Sequence, residues 1–142
     1  MRAHCLAVLV AASSLVGVKA AQVLQSAGPL AFAPGGVLIA ADPKAAALVS
    51  VKTGDASGSA GAKVSVEGIN SKIAALLGTS ADAVRIIDLA VNPESHHAYL
   101  SVARGRGADA AAVIVKVDGQ GDLSVVELDA NKISKVTLPN AP

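Results

Sequence analysis

The stretch Leu30-Ala31-Phe32-Ala33-Pro34-Gly35-Gly36-Val37-Leu38-Ile39-Ala40-Ala41-Asp42 is an apolar run, a break, and a second apolar run ending on an acid. Proline presets its own φ and glycine accepts positive φ, so Pro34-Gly35-Gly36 suits a tight turn between two strands. The opening phrase Leu30-Ala31-Phe32-Ala33-Pro34 returns 59 positions later as Leu89-Ala90-Val91-Asn92-Pro93. Two further short β-type runs follow each copy, so the pentapeptide is the head of a longer repeat.

Strand by strand, the first copy reads Gly28 to Ala33, Val37 to Ala41, Ala47 to Val51 and Lys63 to Glu67. In the last of these, valines alternate with polar residues, which fits an outer strand with one wet face. The second copy reads Val84 to Val91, Ala98 to Val102, Ala111 to Val117 and Leu123 to Leu128. Length differences between the copies fall in turns, where a repeat fold tolerates them. The inner runs are almost continuously apolar, as strands covered on both faces should be. Four short strands per repeat is the pattern of a β-propeller blade. The fold expected is all-β: about two four-stranded propeller-type blades, at about 28–67 and 84–128, with one short inserted helix.

That helix is expected at about 70–78, in Asn70-Ser71-Lys72-Ile73-Ala74-Ala75-Leu76-Leu77-Gly78. Asn70 or Ser71 can cap its start and Gly78 suits a left-handed exit. Ile73, Leu76 and Leu77 share one face, and such a face generally packs on its own domain. Residues 131–138 carry Ile133, Val136 and Leu138 and read as the start of a third blade. Propellers close with about four to eight blades. The 21–142 segment is therefore expected to be part of a larger propeller, or one of several copies in a ring. Open blade edges would also favour self-association.

The run from Leu30 to Asp42 resembles the apolar–Ala–Phe–x–Pro–x–Gly–x–apolar pattern of secreted bacterial β-propeller proteins of the WD-repeat-like, NHL-like and YVTN-like kinds. The resemblance covers residues 28 to about 128, closely in the first copy and loosely in the second. Val51-Lys52 stands where true WD repeats carry Trp-Asp. The resemblance implies a fold more than a function, since such proteins include scaffolds, binding proteins and enzymes.

The N-terminus starts with a basic Met1-Arg2, runs apolar from Leu6 to Val16, and leaves through small residues to Ala20. This is the plan of a secretory signal peptide over residues 1–20, with cleavage after Ala20. The localisation expected is secreted or periplasmic, or membrane-anchored if the segment is retained. Lys19 interrupts the run before the roughly 20 apolar residues of a spanning helix. Cys5, the single cysteine, would leave with the signal, so no disulfide or thiolate chemistry is expected of the mature chain. Removing Arg2 and Lys19 leaves 10 basic against 11 acidic residues. That balance argues against nucleic acid as a partner. One phenylalanine, one tyrosine and no tryptophan leave no stacking platform for bases.

Candidate sites are few. His96-His97 is the only histidine cluster, but adjacent residues of an extended chain point in opposite directions. Asp118-Gly119-Gln120-Gly121-Asp122 is acidic and glycine-rich, without the oxygen ligands and spacing of an EF-hand loop. His96, His97, Asp118 and Asp122 are thus weak metal candidates, with solvated turns the simpler reading. Arg104-Gly105-Arg106-Gly107 has no counterpart in the first copy, and Arg104 and Arg106 are the partner-binding candidates, toward a protein or a glycan. Asp42 and Asp88 border inner strands, where aspartates commonly accept hydrogen bonds from turn amides. No G-x-S-x-G elbow, P-loop, G-x-G-x-x-G run or H-E-x-x-H pair is present. No catalytic residue and no cofactor is assigned. The function expected is a secreted, non-catalytic interaction or scaffold module. The alternative is the N-terminal blades of a propeller enzyme, lactonase-like or quinoprotein-like, with its catalytic groups elsewhere.

Overall fold

Eight strands and one helix form three layers in the computed structural model, which describes residues 23–58 and 63–140. The expected signal peptide lies outside the described residues. The first sheet holds β1 (Leu30–Ala33), β2 (Val37–Asp42), β3 (Ala47–Lys52) and β8 (Ile133–Thr137), in that order. The second holds β4 (Val84–Val91), β5 (Ala98–Arg104), β6 (Ala111–Val117) and β7 (Leu123–Val125). All pairings are antiparallel. The helix α1 (Ile69–Leu77) covers the far face of the second sheet. The fold is therefore all-β with a single α-helix.

Alternation decides which side of each strand meets the core. Along β2, Leu38, Ala40 and Asp42 are buried; along β3, Ala47, Val49 and Val51 are. These residues face the second sheet, where Tyr99 and Ile114 meet them together with Leu24. Phe32 and Tyr99, the two aromatics of the chain, pack edge to face at 5.1 Å and 71°. A second core lies between the sheet and α1, built from Ile73 and Ala74 against Val84, Leu100, Val102 and Val115.

The first sheet takes its outer strand from the end of the chain. Residues 63–66 form no strand, while β8 pairs with β3 through Val51↔Ile133, Val49↔Lys135 and Ala47↔Thr137. The ladder is held at its ends by Lys52 N–H to Lys132 C=O and Leu138 N–H to Ala46 C=O, both 2.8 Å. The stretch read as the start of a third blade thus completes the first sheet. Short-range alternation at 63–67 could not foresee this, because two segments compete for the same edge of β3. The winning strand puts Ile133 onto the inter-sheet core.

The helix also differs at its start. Gly68, not Asn70 or Ser71, is its N-cap, with left-handed φ of 62° and no side-chain cap. Its exit at Gly78 is left-handed (φ 65°), donating to the Ala74 and Ala75 carbonyls. Ile73 is fully buried on the sheet, whereas Leu76 remains 39% exposed.

A β-bulge interrupts β4 between Ile86 and Asp88. The extra residue, Ile87, shifts the phase of the strand. Ile86 opposes Val102 on the helix side, and Asp88 opposes Ser101 on the side of the first sheet. Asp88 Oδ2 then accepts the Leu30 N–H at 2.8 Å, linking the two sheets at their first strands. Asp42 closes its own turn by accepting from Ala45 N–H, and it also accepts from the Gln25 and Ser26 amides and the Ser26 hydroxyl. Burial opposes its charge, but these donors outweigh burial and hold the Asp42 carboxyl below the usual range.

Candidate functional site

Ser95 in the turn after β4, His97 just beyond it and Tyr99 in β5 all direct their side chains toward the first sheet, the left-handed backbone at His96 (φ 62°) lying between the first two. There they converge on a single carboxylate. Asp55 lies just beyond β3, in the segment crossing from the first sheet toward α1. Its Oδ2 accepts from the Ser95 hydroxyl at 2.8 Å and the Tyr99 hydroxyl at 2.8 Å. His97 Nδ1 sits 2.9 Å and 3.1 Å from its two oxygens, which fixes the Nδ1–H tautomer as donor. Lys116 Nζ completes the set at 3.3 Å.

The main chain is tied down at the same place. Asn92, fully buried, donates from Nδ2 to the Asp55 carbonyl at 2.8 Å and accepts the Glu94 N–H at 2.9 Å. Thr53 Oγ1 donates to the Gly36 carbonyl and accepts the Asp55 N–H. Gly58 passes so close to the Ser95 carbonyl that a Cβ would have no room. Two turns and two strands of the second sheet are thereby fastened to the exit of β3.

Electrostatically the cluster is saturated. Burial pushes the Asp55 carboxyl up, but His97, Tyr99, Ser95 and the Lys116 charge overcome it and bring it to about 2. Burial pushes the Tyr99 hydroxyl well above its ordinary value, and its bond to the Asp55 carboxylate adds to this. A carboxylate that is so weak a base is a poor proton acceptor near neutral pH. The Ser95 hydroxyl is aimed at the carboxylate, not at the imidazole, so no Ser–His relay exists here. The arrangement ties the two sheets together, and the Asp55 carboxylate fixes the orientation of the His97 ring through Nδ1.

The residues singled out from sequence are dispersed around this cluster. His97 turns inward to Asp55, while His96 is exposed and has a left-handed φ of 62° in place of the extended backbone expected there. Asp118 and Asp122 close one turn: Asp118 Oδ1 accepts the Gln120 and Asp122 amides, and these bonds hold its carboxyl below the usual range. Among the described residues no group of three His, Cys, Asp or Glu side chains is placed to hold a metal ion. Arg106 is 75% exposed and pairs with Asp82; Arg104 ends β5 in solvent. Lys44 Nζ reaches the same loop, donating to the Ala108 carbonyl at 3.0 Å. Asp55, Ser95, Tyr99 and Lys116 were missed because they are 61 positions apart at the extremes. The one local signal was the i, i+2, i+4 spacing of Ser95, His97 and Tyr99.

Comparison with protein-family models, curated proteins and solved structures finds no match for this chain. Among the described residues no helix is long and apolar enough to cross a membrane.

Proposed function

We propose that the chain is a secreted or periplasmic, non-catalytic interaction or scaffold module built on propeller-type sheets. The observation that carries this reading is the Asp55 cluster. It is the one buried gathering of Ser, His, Tyr, Lys and Asp side chains in the described residues, and every donor in it is spent on one carboxylate. Side chains that would serve catalysis elsewhere act here as a clasp between layers.

Two features speak for binding. The loop at residues 104–109 stands out from the second sheet with Arg104 and Arg106 exposed, braced by Asp82 and Lys44. The outer face of the first sheet shows Leu48 (41% exposed) directly opposite Val136 (59%). Contiguous exposed apolar residues commonly mark contact surfaces. The alternative, the N-terminal blades of a propeller enzyme, would place its catalytic groups outside this chain.

The test is quantitative affinity enrichment from the extracytoplasmic fraction, comparing wild type with Arg104→Ala/Arg106→Ala and with Leu48→Lys/Val136→Lys. A partner held by wild type and lost from either pair, with thermal unfolding unchanged, supports the module. Turnover by the purified chain in lactonase or dehydrogenase assays would overturn it. Sequencing of the exported product should find Ala21 at its N-terminus; an intact Met1 in a membrane fraction would mean an anchor.

A further inference from the structure

The far face of the second sheet is covered unevenly. α1 lies over Val84, Val102 and Val115, but the cover thins toward the end of β4, leaving Leu89 and Val91 54% and 51% exposed. These two are not isolated. With Val64, Val66, Leu100 and Val117 they line a single groove of about 520 Å³. That is the size of a small-molecule site.

The groove is built by distinct elements. Its floor is Leu100 and Val117 on adjacent strands, and one wall is the β4 end with Leu89 and Val91. The opposite wall is Val64, Val66 and the first residue of α1. The turn at 118–122 braces that wall: a Cβ on Gly121 would stand 3.5 Å from both valines. The bulge in β4 makes the site possible, because it turns Leu89 and Val91 onto the face that carries Leu100 and Ala98.

The polar side chains among the described residues that line the groove are His96 and Asp118. Asp118 Oδ1 is occupied by two turn amides, and no basic side chain forms an ion pair with this carboxylate among the described residues. Lys116, the nearest lysine in sequence, is directed to Asp55 and acts on Asp118 only at longer range. An apolar trough whose rim carries a carboxylate without a direct ion pair is complementary to an apolar body with one positive end.

We infer that this groove binds a small apolar molecule bearing one protonated amine, its body against Leu89, Val91 and Leu100 and its ammonium at Asp118. This goes beyond the interaction-module reading and does not depend on it, since the ligand needs no protein partner.

The test uses n-alkylamines from butyl to octyl, titrated into the chain and followed by calorimetry and amide chemical shifts. Each added CH₂ should tighten binding by about fourfold until the groove is filled. Octylamine should bind at least about tenfold tighter than octanoate, and Asp118→Asn should remove that preference. Asparagine keeps a carbonyl for the two turn amides, so the turn survives the change. Leu89→Ser/Val91→Ser should weaken octylamine and 1-octanol alike, because both side chains are already exposed and their loss is tolerated by the fold. Shifts should cluster at residues 89–100 and 117–118. The inference is overturned by any of three results: no saturable octylamine binding, equal binding of octanoate, or indifference to Asp118→Asn. It is also overturned if the chain dimerises through this face and Val91→Ser dissociates the dimer.

Discussion

Asp55 draws its donors from β5, β6 and the turn between β4 and β5, so removing it leaves several buried groups without a partner at once. Asp55→Ala should cost about 3 kcal/mol in a urea unfolding experiment, because the orphaned His97 and Lys116 lose a charged acceptor. Tyr99→Phe keeps the ring on Phe32 and loses only the hydroxyl, so its cost should be about 1 kcal/mol. The acid limb separates these effects. Asp55 titrates at about 2 when folded and at an ordinary 3.8 when unfolded, so its contribution is complete above about pH 4 and is lost as pH falls toward 2. The lost amount should be about 1–2 kcal/mol, allowing for water at the rim of the cluster. Stability profiles from pH 6 to 2 should show this slope in wild type and lack it in Asp55→Asn. An unchanged slope in that variant would place the acid sensitivity in other carboxylates, Asp42 first.

At the scale of elements, β8 and α1 cover what the two repeats leave open. β8 converts β3 from an edge strand into an interior one, and a proline there removes a ladder hydrogen bond it cannot replace. Ser134→Pro should therefore raise hydrogen exchange at β3 amides, Lys52 among them, well above that of β5. α1 works by burial. Its first turn carries no acid and its N-cap no side-chain bond, so packing rather than capping holds it. Ile73→Ala should cost about 2–4 kcal/mol, since it empties a site at 0% exposure between helix and sheet. Leu76→Ala, on the exposed side, should change stability by less than about 1 kcal/mol, which a pair of thermal melts would check.

For the whole molecule, stacking of sheet, sheet and helix leaves apolar side chains exposed on the outside of the first sheet, beside Ser50 and Ser134. Leu48 and Val136 sit opposite each other on the outside of the first sheet, on the face that also carries Ala31 and Ile39. Light scattering across a concentration series should show mass rising through this face. Leu48→Lys/Val136→Lys should flatten the rise while leaving stability within about 0.5 kcal/mol. The pairing of Val51 with Ile133 also joins distant parts of the chain, so the first sheet cannot be complete until the last strand arrives. Folding should accordingly be slow and unfolding a single transition, with fluorescence of Tyr99 and far-ultraviolet dichroism following the same curve.

Local patterning alone determined most of the strands. The repeated Leu-Ala phrase, the Pro34-Gly35-Gly36 turn and the alternation along residues 37–52 and 98–117 are short-range signals, and the corresponding strands lie where those signals place them. Gly78 likewise marks the helix end by its left-handed backbone. Tertiary structure decided what no window of a few residues contains. The outer edge of β3 was open to either 63–67 or 133–137, and packing of Ile133 on the inter-sheet core selected the later segment. The bulge at Ile87 turned apolar Leu89 and Val91 out to a groove, although the run from Val84 to Val91 reads as a doubly buried strand. Asp55 became the centre of the molecule's main polar cluster only when residues 95, 97, 99 and 116 were brought beside it. A buried carboxylate requires donors wherever the chain can supply them, and only the folded chain sets which ones are near.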